Sequence, residues 1–546
     1  MTKEAPFSSA ARARDLAEMS RNGVELLVVG GGITGVGVAR EAALRGLSVA
    51  LVERADFAAG TSSRSSKLIH GGVRYLQQGD VALVVEAAEE RRILRRIAPH
   101  LTQPRPMMVP AYGVGTHTKL NVGLWTYEKL AKVPPAERHE MLDREGTLAR
   151  EPGLRREGLT GAAVYPENLT DDARLVLATA RSARRAGALL ANYAEVTKID
   201  AADGGSTVTV VDRESGAPSS IRARVIVNAA GPWCDSVRSL EGAIPGKRLH
   251  LTKGIHFAVL HADLPLSSMV VMQARDRRSV FAIPRDRIVY VGTTDTDYGA
   301  AVEYPEVTRD DVEYLLEAVR RHFPAATWGL ERVVSAWAGL RPLIHEEGKK
   351  PSEISRRDEL TEGPYGMISV AGGKLTTFRR TAEKVVELVE HRLGRRAEPA
   401  SGGSEQPLDG GDLPMGSSPQ EYARFLVSRF GANLPGLEDA VDRLVLLYGT
   451  NAEALLGRAI DRGLGFFPGS VALRAEVERA VLEEMSLRLT DVLERRLRLL
   501  LFDPERGLDV AAPVAEQMAS LLGWSEERMM RELDEYRETA KRCMPI

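Results

Sequence analysis

The chain has 546 residues, enough for two to four domains and a substantial core without disulfide or metal staples. Lys plus Arg number 73 against 75 Asp plus Glu, a formal net charge of -2, which argues against a protein whose main work is coating nucleic acid. Cys234 and Cys543 are the only cysteines, far apart in sequence, which excludes a disulfide framework or a cysteine-based zinc site and suits a reducing compartment.

Residues 1–22 read as a polar lead-in with a short helix, capped by Ser8 or Ser9, with Leu16 and Met19 turned inward. Ala11–Met19 is broken by Arg12, Arg14, Asp15 and Glu18, so it lacks a signal-peptide core, and no apolar run reaches the ~18 residues of a membrane-spanning helix. The expectation is a protein on the cytoplasmic side, with contact against a membrane face left open. Val24–Val29 is a continuous apolar run ending in glycines, the pattern of a strand buried on both faces. Val36–Leu44 has helical spacing and Ser48–Val52 is a second strand, giving a β-α-β unit. Segments 80–98 and 171–186 read as helices. Arg224–Asn228 is a further strand running into a glycine turn. Residues 250–300 alternate apolar with polar (HFAVL, SVFAIP, RIVYVG) and predict an antiparallel sheet. Met367–Val370 is another strand ending at glycines. Between 396 and 418 Gly, Ser, Pro and acid dominate, the composition of a linker, and 419–546 is almost wholly helical in pattern.

Gly30-Gly31-Gly32-Ile33-Thr34-Gly35 has the G-x-G-x-x-G spacing and sits between a buried strand and a helix. Glu53 ends the next strand about 20 residues on. Gly30 permits the tight turn, Gly32 lets the backbone approach a pyrophosphate, and Gly35 lets helix and strand pack closely. The helix N-terminus presents unpaired N–H groups to the phosphates, and Glu53 can accept from a ribose hydroxyl. NAD and FAD share this motif. A second polar stretch follows at once, Gly60-Thr61-Ser62-Ser63-Arg64-Ser65-Ser66-Lys67-Leu68-Ile69-His70-Gly71-Gly72. Two more strand-end turns, Ala230-Gly231-Pro232-Trp233 and Ala371-Gly372-Gly373-Lys374, can bring amides to the same ligand. A long cofactor with a ribityl chain and a tricyclic ring needs these extra turns and a nicotinamide does not, so FAD is the better reading.

Cations recur beside these turns: Arg74, Lys253, His256, Arg341, Arg356 and Lys374. Arg341 lies in an otherwise apolar run (AWAGLRPL), where a charge must find a partner. A phosphate or carboxylate substrate is one candidate, since the guanidinium fork suits either. His70 and His256 are candidate proton carriers, or hydrogen-bonded structural histidines. Thr294, at a strand end, is placed to bond a ligand or to cap a turn.

These motifs resemble the FAD-dependent glycerol-3-phosphate dehydrogenase family. The matching runs include VVGGGITGVGVAREAALRGLSVALVE, FAAGTSSRSSKLIHGGVRYL, DDARL, NAAGPWCD, LTKGIHF, VFAIPR, YVGTTDTDY, SAWAGLRPLIHEEG, PSEISRRDE and VAGGKLTTFRR, in order across roughly 24–390, with a looser likeness in the helical tail. The resemblance implies an α/β protein with a discontinuous Rossmann-like FAD-binding domain, an antiparallel substrate domain and an all-helical C-terminal domain. FAD-binding parts are expected at about 23–105, 165–245 and 335–395, interleaved with substrate-domain parts at about 106–164 and 246–334. A linker at 396–418 then leads to the helical domain at 419–546. By motif match, Gly30, Gly32, Thr34, Gly35, Glu53, Thr61, Ser62, Lys67, Leu68, His70, Gly231, Trp233, Gly373, Lys374, Leu375 and Thr376 would line FAD. Arg74, Arg341, Arg356 and Lys374, with Thr294 and His256 nearby, would form the substrate pocket. Arg341 and Arg356 would take the phosphate of sn-glycerol 3-phosphate; Arg74, His256 and Lys374 would face its C2 oxygen.

The acceptor implied is a membrane quinone rather than oxygen, because the insertion carried by the related oxidases is missing. Residues 488–502 are basic and amphipathic, which suits either a membrane surface or a helix packed inside the cap domain. A homodimer is left open. Two other readings compete: an amine or 2-hydroxy acid oxidase of the same broad fold, and a flavin-binding redox regulator that docks a partner through its helical domain.

Overall fold

The computed structural model describes residues 7–71, 81–242, 248–344, 358–395 and 405–545. Arg74 and Arg356 lie outside them. Helix α1 (Ser9–Asn22) is capped by Ser8, whose Oγ accepts from the Ala11 amide, and buries Leu16 and Met19. Strand β1 (Val24–Val29), helix α2 (Ile33–Leu44) and strand β2 (Val49–Val52) form the expected β-α-β unit. β1 runs parallel to β2 on one side and to Pro218–Asn228 on the other. Ile368–Ala371 and Leu189–Ala191 extend the parallel sheet outward on the two flanks. The four residues of β2 are all buried, as a strand covered by helices on both faces requires. The covering helices include α2, Asp172–Arg185 and Phe378–Arg392, which share one core with the sheet. The chain leaves β1 for β2 on one flank and returns only later, with Pro218–Asn228, to the other, so the C-terminal end of β1 is a switch point where a crevice opens.

The second sheet is antiparallel apart from one parallel pair, Met269–Gln273 with Gln103–Tyr112, and is built largely from the 249–292 strands with Gln103–Tyr112 and Leu159–Leu169. Ser335–Ile344 was expected to open the third FAD-binding part. It instead pairs with Leu249–Leu260 over ten successive residues, from Leu249 opposite Ile344 to Ala258 opposite Ser335. An apolar run carries no mark of which sheet it joins; the long in-register pairing decides it. The 419–546 region contributes helices, from Pro419–Phe430 to Glu526–Arg542. Its inner layer, with Leu493, Leu500, Val514 and Tyr536, merges with Leu68, Tyr290 and Trp337 of the second sheet into one cluster.

The approach to this region is not a solvated spacer throughout. Leu408 and Asp409 are buried, and the Asp409 carboxylate accepts from Arg181 at 2.7 Å and faces Arg479 of the helical region at 3.6 Å. Among the described residues no helix is long and apolar enough to cross a membrane.

Candidate active site

A cavity of about 1400 Å³ opens at the C-terminal end of β1. That exceeds the ~300–1,000 Å³ of ordinary small-molecule pockets and suits a dinucleotide. Gly30, Gly32 and Thr34 line it at the start of α2, whose N-cap Gly32 offers no side chain to its amides. Ser62 takes the Ile33 amide, and the remaining first-turn donors are left for a ligand, with the positive end of the helix dipole behind them. Gly30 has φ +115°, a conformation closed to other residues, and a Cβ there would stand 2.6 Å from the Ala229 carbonyl. Gly35 does not reach the wall. It lies where a Cβ would meet the Gly30 carbonyl oxygen at 1.9 Å, so its role is the close approach of α2 to the turn.

Glu53 also lines the cavity, half-buried, with Oε2 accepting from the Gly31 amide at 2.6 Å and Oε1 from the Ala55 amide at 2.8 Å. Burial raises its pKa and the two amides oppose the rise. Each oxygen keeps a second acceptor direction for a ligand hydroxyl. Thr61, Ser62, Gly231, Trp233, Gly373, Lys374 and Leu375 complete the expected wall. Ser62 Oγ accepts from the Ile33 amide at 3.0 Å, and Thr61 Oγ1 donates to the Leu340 carbonyl at 2.6 Å. The donor-rich helix start, the buried acid and the size of the cavity fit FAD.

Lys67, Leu68, His70 and Thr376 are not among the lining residues. Lys67 departs most from the expectation. Its fully buried ammonium donates to the Ser63 and Ser65 carbonyls at 3.0 and 3.1 Å and to Asp172 at 3.1 Å, shaping the turn from within. An ammonium so placed needs a counter-charge, and Asp172 supplies it; burial still lowers the Lys67 pKa to about 8. Leu68 joins the core shared with the helical region, and the His70 carbonyl accepts from Thr376 Oγ1 at 3.3 Å.

Of the substrate-side residues, Arg341 and His256 lie on the Leu249–Leu260 and Ser335–Ile344 pair and Thr294 just beyond Ile288–Gly292; none of the three is among the residues that line the cavity, whereas Lys374 is. Arg341 is next to Leu340, whose carbonyl holds Thr61, so the cation and the cofactor turn are tied through one residue. Its guanidinium donates to Asp295 at 2.9 Å, to Thr293 Oγ1 at 3.0 Å and to the Thr294 carbonyl at 3.1 Å. The partner that an apolar run demands is thus a carboxylate of the protein. Thr294 is buried, with its hydroxyl accepting from the Ile255 amide at 3.0 Å. His256 stacks on Trp337 with ring centroids 5.2 Å apart, and its Nε2 lies 2.9 Å from Ser66 Oγ. Burial, then Lys67 and Arg341, push its pKa well below the ordinary value, so it is neutral near pH 7. Lys253, offered beside these cations, donates instead to Asp311 at 2.6 Å and to the Glu306 carbonyl.

Two glycines make this cluster possible. A Cβ on Gly254 would meet the Arg341 guanidinium at 2.2 Å, and one on Gly292 would meet the His256 ring at 2.1 Å. Both stand in the motifs LTKGIHF and YVGTTD, where a glycine inside a strand signals close approach.

The sequence reading overlooked the part of the wall supplied from far along the chain. Arg488, Thr490, Glu494, Arg495, Arg542, Cys543 and Met544 all face the cavity. The 488–502 stretch offered to a membrane surface is buried: Arg495, Arg496 and Arg498 are each under 7% exposed. Arg495 donates to Asp56 at 2.6 Å, Arg496 to Asp56 at 2.9 Å and to the Glu484 carbonyl at 2.7 Å, and Arg498 to Asp171 and Asp172, both at 2.9 Å. Of the two readings of this stretch, the helix packed inside the cap domain is the one the structure has. The positive charge faces three buried aspartates, and periodicity alone cannot distinguish that from a basic outer face. The doublets Asp171-Asp172 and Arg495-Arg496, each set in apolar surroundings, were the available signal.

Residues 25–379 match the family described as FAD dependent oxidoreductase, and 402–529 match the C-terminal domain of alpha-glycerophosphate oxidase. The chain is 39% identical over 536 residues to the aerobic glycerol-3-phosphate dehydrogenase of Bacillus subtilis, covering 95% of each. It is 39% identical over 529 residues to the enzyme of the same name from Staphylococcus aureus, covering 95% of this chain and 94% of that one. The glycerol-3-phosphate dehydrogenase structure from Bacillus halodurans complexed with FAD superposes with a TM-score of 0.81 at 35% identity over 98% of both chains. With a cavity that fits the dinucleotide, two family matches and near full-length relatives, the chain belongs to the FAD-dependent oxidoreductases, in the glycerol-3-phosphate dehydrogenase family.

Proposed function

We propose that this protein oxidises sn-glycerol 3-phosphate to dihydroxyacetone phosphate and passes the electrons to a quinone. The observation that carries the reading is the Arg341 cluster, tied through Leu340 to the cofactor turn at Thr61. A phosphate with about -1.5 to -2 charges needs fixed cations, and Arg341 is already oriented by Asp295 and Thr293. Arg356 joins it as a phosphate ligand, and Arg74 and Lys374 face the C2 oxygen, on the motif match. FAD supplies a hydride acceptor at its N5. The C2 hydroxyl proton goes to His256, which burial keeps neutral and whose Nε2 is held by Ser66. Gly30, Gly32, Thr34, Glu53, Thr61, Ser62, Gly231, Trp233, Gly373, Lys374 and Leu375 hold the dinucleotide, with Gly35 and Lys67 shaping its turns.

An acceptor other than oxygen is favoured by the relatives' shared name as dehydrogenases rather than oxidases, and a quinone is the acceptor the motif match implies. A quinone dissolved in lipid asks for contact with a bilayer. Helix Thr116–Leu130 and its approach carry Val114, Val122 and Trp125, at 103%, 59% and 56% exposure, beside exposed Lys119, Lys129 and Lys132. Apolar side chains ringed by lysines complement an anionic bilayer surface.

Anaerobic addition of sn-glycerol 3-phosphate to the yellow holoprotein should bleach the visible flavin band. Failure to bleach, with bleaching by an amine or a 2-hydroxy acid instead, rejects the substrate. Trp125→Ser should abolish co-sedimentation with anionic vesicles; unchanged binding removes this helix from the membrane contact.

A further inference from the structure

Four cofactor-side groups on the cavity wall, Asp56, Arg64, Asp172 and Tyr193, are each held from the helical C-terminal region. Asp56 accepts from Arg495 at 2.6 Å and from Arg496 at 2.9 Å. Arg64 donates to Glu494 at 2.6 Å. Asp172 accepts from Arg498 at 2.9 Å. Tyr193 donates its hydroxyl to Asp491 at 2.6 Å, beneath the Arg488 guanidinium. The donors and acceptors opposite them come from one short run, the π-helical turn Asp491–Arg496 and the residues beside it. π turns are rare and collect at functional sites. Arg498 follows at φ +64°, a left-handed conformation that its two bonds to Asp171 and Asp172 hold in place.

We propose that Arg495 and Arg498 are positioning residues for the flavin cofactor, so that seating FAD and docking the helical region are one linked equilibrium. Withdraw the 491–498 run and Asp56 loses both guanidinium partners, while Asp171 and Asp172 each lose Arg498 and keep Arg285, at 2.8 Å, and Lys67, at 3.1 Å, respectively. Buried carboxylates left without those partners rearrange or draw in water. The segment 54–65 carries Asp56 and Arg64 together with Thr61 and Ser62 of the cavity wall, so its rearrangement disrupts the wall. By reciprocity, whatever docking adds to FAD affinity, FAD adds to docking. This inference does not depend on which substrate the enzyme oxidises.

The test uses the full chain stripped of FAD and reloaded, with no substrate present. Hydrogen exchange should be faster across 484–500 in the apoprotein than in the holoprotein, while the helix Pro419–Phe430, packed on a separate cluster of the helical region through Tyr422, Ala423 and Leu426, exchanges alike in both. Arg495→Met should raise the FAD dissociation constant at least tenfold and abolish the difference in exchange; Arg495→Lys should recover part of the affinity. Arg429→Ala, which breaks an exposed pair with Glu453 and a contact with the Phe430 ring, both away from the cavity, should change neither. A merely structural role would lower the melting temperature and leave the FAD dissociation constant of folded protein at the wild-type value, which overturns the proposal. Should Arg495→Met fail to fold, Tyr193→Phe and the wild-type exchange comparison decide instead. Equal exchange at 484–500 with and without FAD also overturns it.

Discussion

Replacing Gly35 by alanine adds one methyl group at a place where it has nowhere to go. The new carbon would lie 1.9 Å from the Gly30 carbonyl oxygen and 3.0 Å from its carbon, with the Ala229 methyl at 3.5 Å behind. Carbon–oxygen contacts close at roughly 3.3 Å, so α2 and the Gly30 turn must separate by about 1.4 Å. The turn cannot yield, because Gly30 is fixed at φ +115° against the Ala229 backbone. The helix start must therefore retreat from the cavity, carrying the amides that face the cofactor. Overpacking of this kind costs about 1–3 kcal/mol of stability, and misplacing a binding group by ~1 Å costs up to about a hundredfold in the step it serves. We expect Gly35→Ala to purify largely colourless, with FAD affinity lowered on the order of a hundredfold by fluorescence titration and a lower melting temperature. Gly123→Ala is the control, since nothing lies within 4 Å of that position and alanine there is a better helix former. Gly35→Ala with full flavin occupancy and an unchanged melt would refute the close-approach argument.

Other outcomes follow from the same geometry. Glu53→Gln leaves one oxygen for two backbone donors and turns an amide NH2 against one of them, so FAD should be lost faster on dialysis; equal retention would deny the carboxylate a role. His100 is buried, and its pKa falls from 6.5 to about 3. The unfolded chain takes up that proton first as pH drops, so stability present at neutral pH is lost between about 6.5 and 3, on the order of 4–5 kcal/mol in all. His100→Gln should flatten this acid limb of the denaturation profile, and an unaltered limb would assign it to other groups. Arg174 donates to both oxygens of buried Glu484 at 2.6 and 2.8 Å. Arg174→Met should destabilise in chemical denaturation by less than the ~3–5 kcal/mol of an isolated buried pair, because Arg479 still donates to Glu484 at 3.0 Å. Part of the loss should be regained with Glu484→Gln; strict additivity would show that the pair is not the cause. Arg341→Ala should raise the KM for sn-glycerol 3-phosphate while the holoprotein stays yellow, and an unchanged KM would remove the phosphate role.

Local chemistry made much of this molecule readable. The run VELLVV ends at glycines and spans Val24–Val29, as the structure has it, because a strand buried on both faces admits only apolar residues. The helix reading at 171–186 is matched by Asp172–Arg185, with Asp171 as its cap, whose carboxylate accepts from the Arg174 amide. The alternation in 250–300 yields paired antiparallel strands. What stayed hidden depended on partners hundreds of residues away. Arg495 and Asp56 are 439 positions apart, and nothing near either marks the other. Lys67 looks like a ligand-facing cation beside a glycine-rich turn until Asp172 is found under it. Ser335–Ile344 carries the apolar signature of either sheet, and its contribution to the cavity wall through Ala336, Trp337 and Ala338 shows why one label suited it poorly.

Asp409 works as a clip. It receives Arg181 from a helix of the parallel sheet, faces Arg479 from the helical region, and donates its own amide to the Ser182 hydroxyl oxygen. Among the described residues the contacts that fasten the two parts here are non-covalent and begin at Glu405, which pairs with Arg96, and Gln406, whose carbonyl accepts from Arg40 at 2.8 Å. A polypeptide expressed as two pieces, severed between Arg395 and Glu405, would carry Asp409 and Arg479 on its second piece and Arg181 and Ser182 on its first. The halves then possess the means to recognise each other on mixing, and the return of yellow colour to a colourless pair would report that they had met.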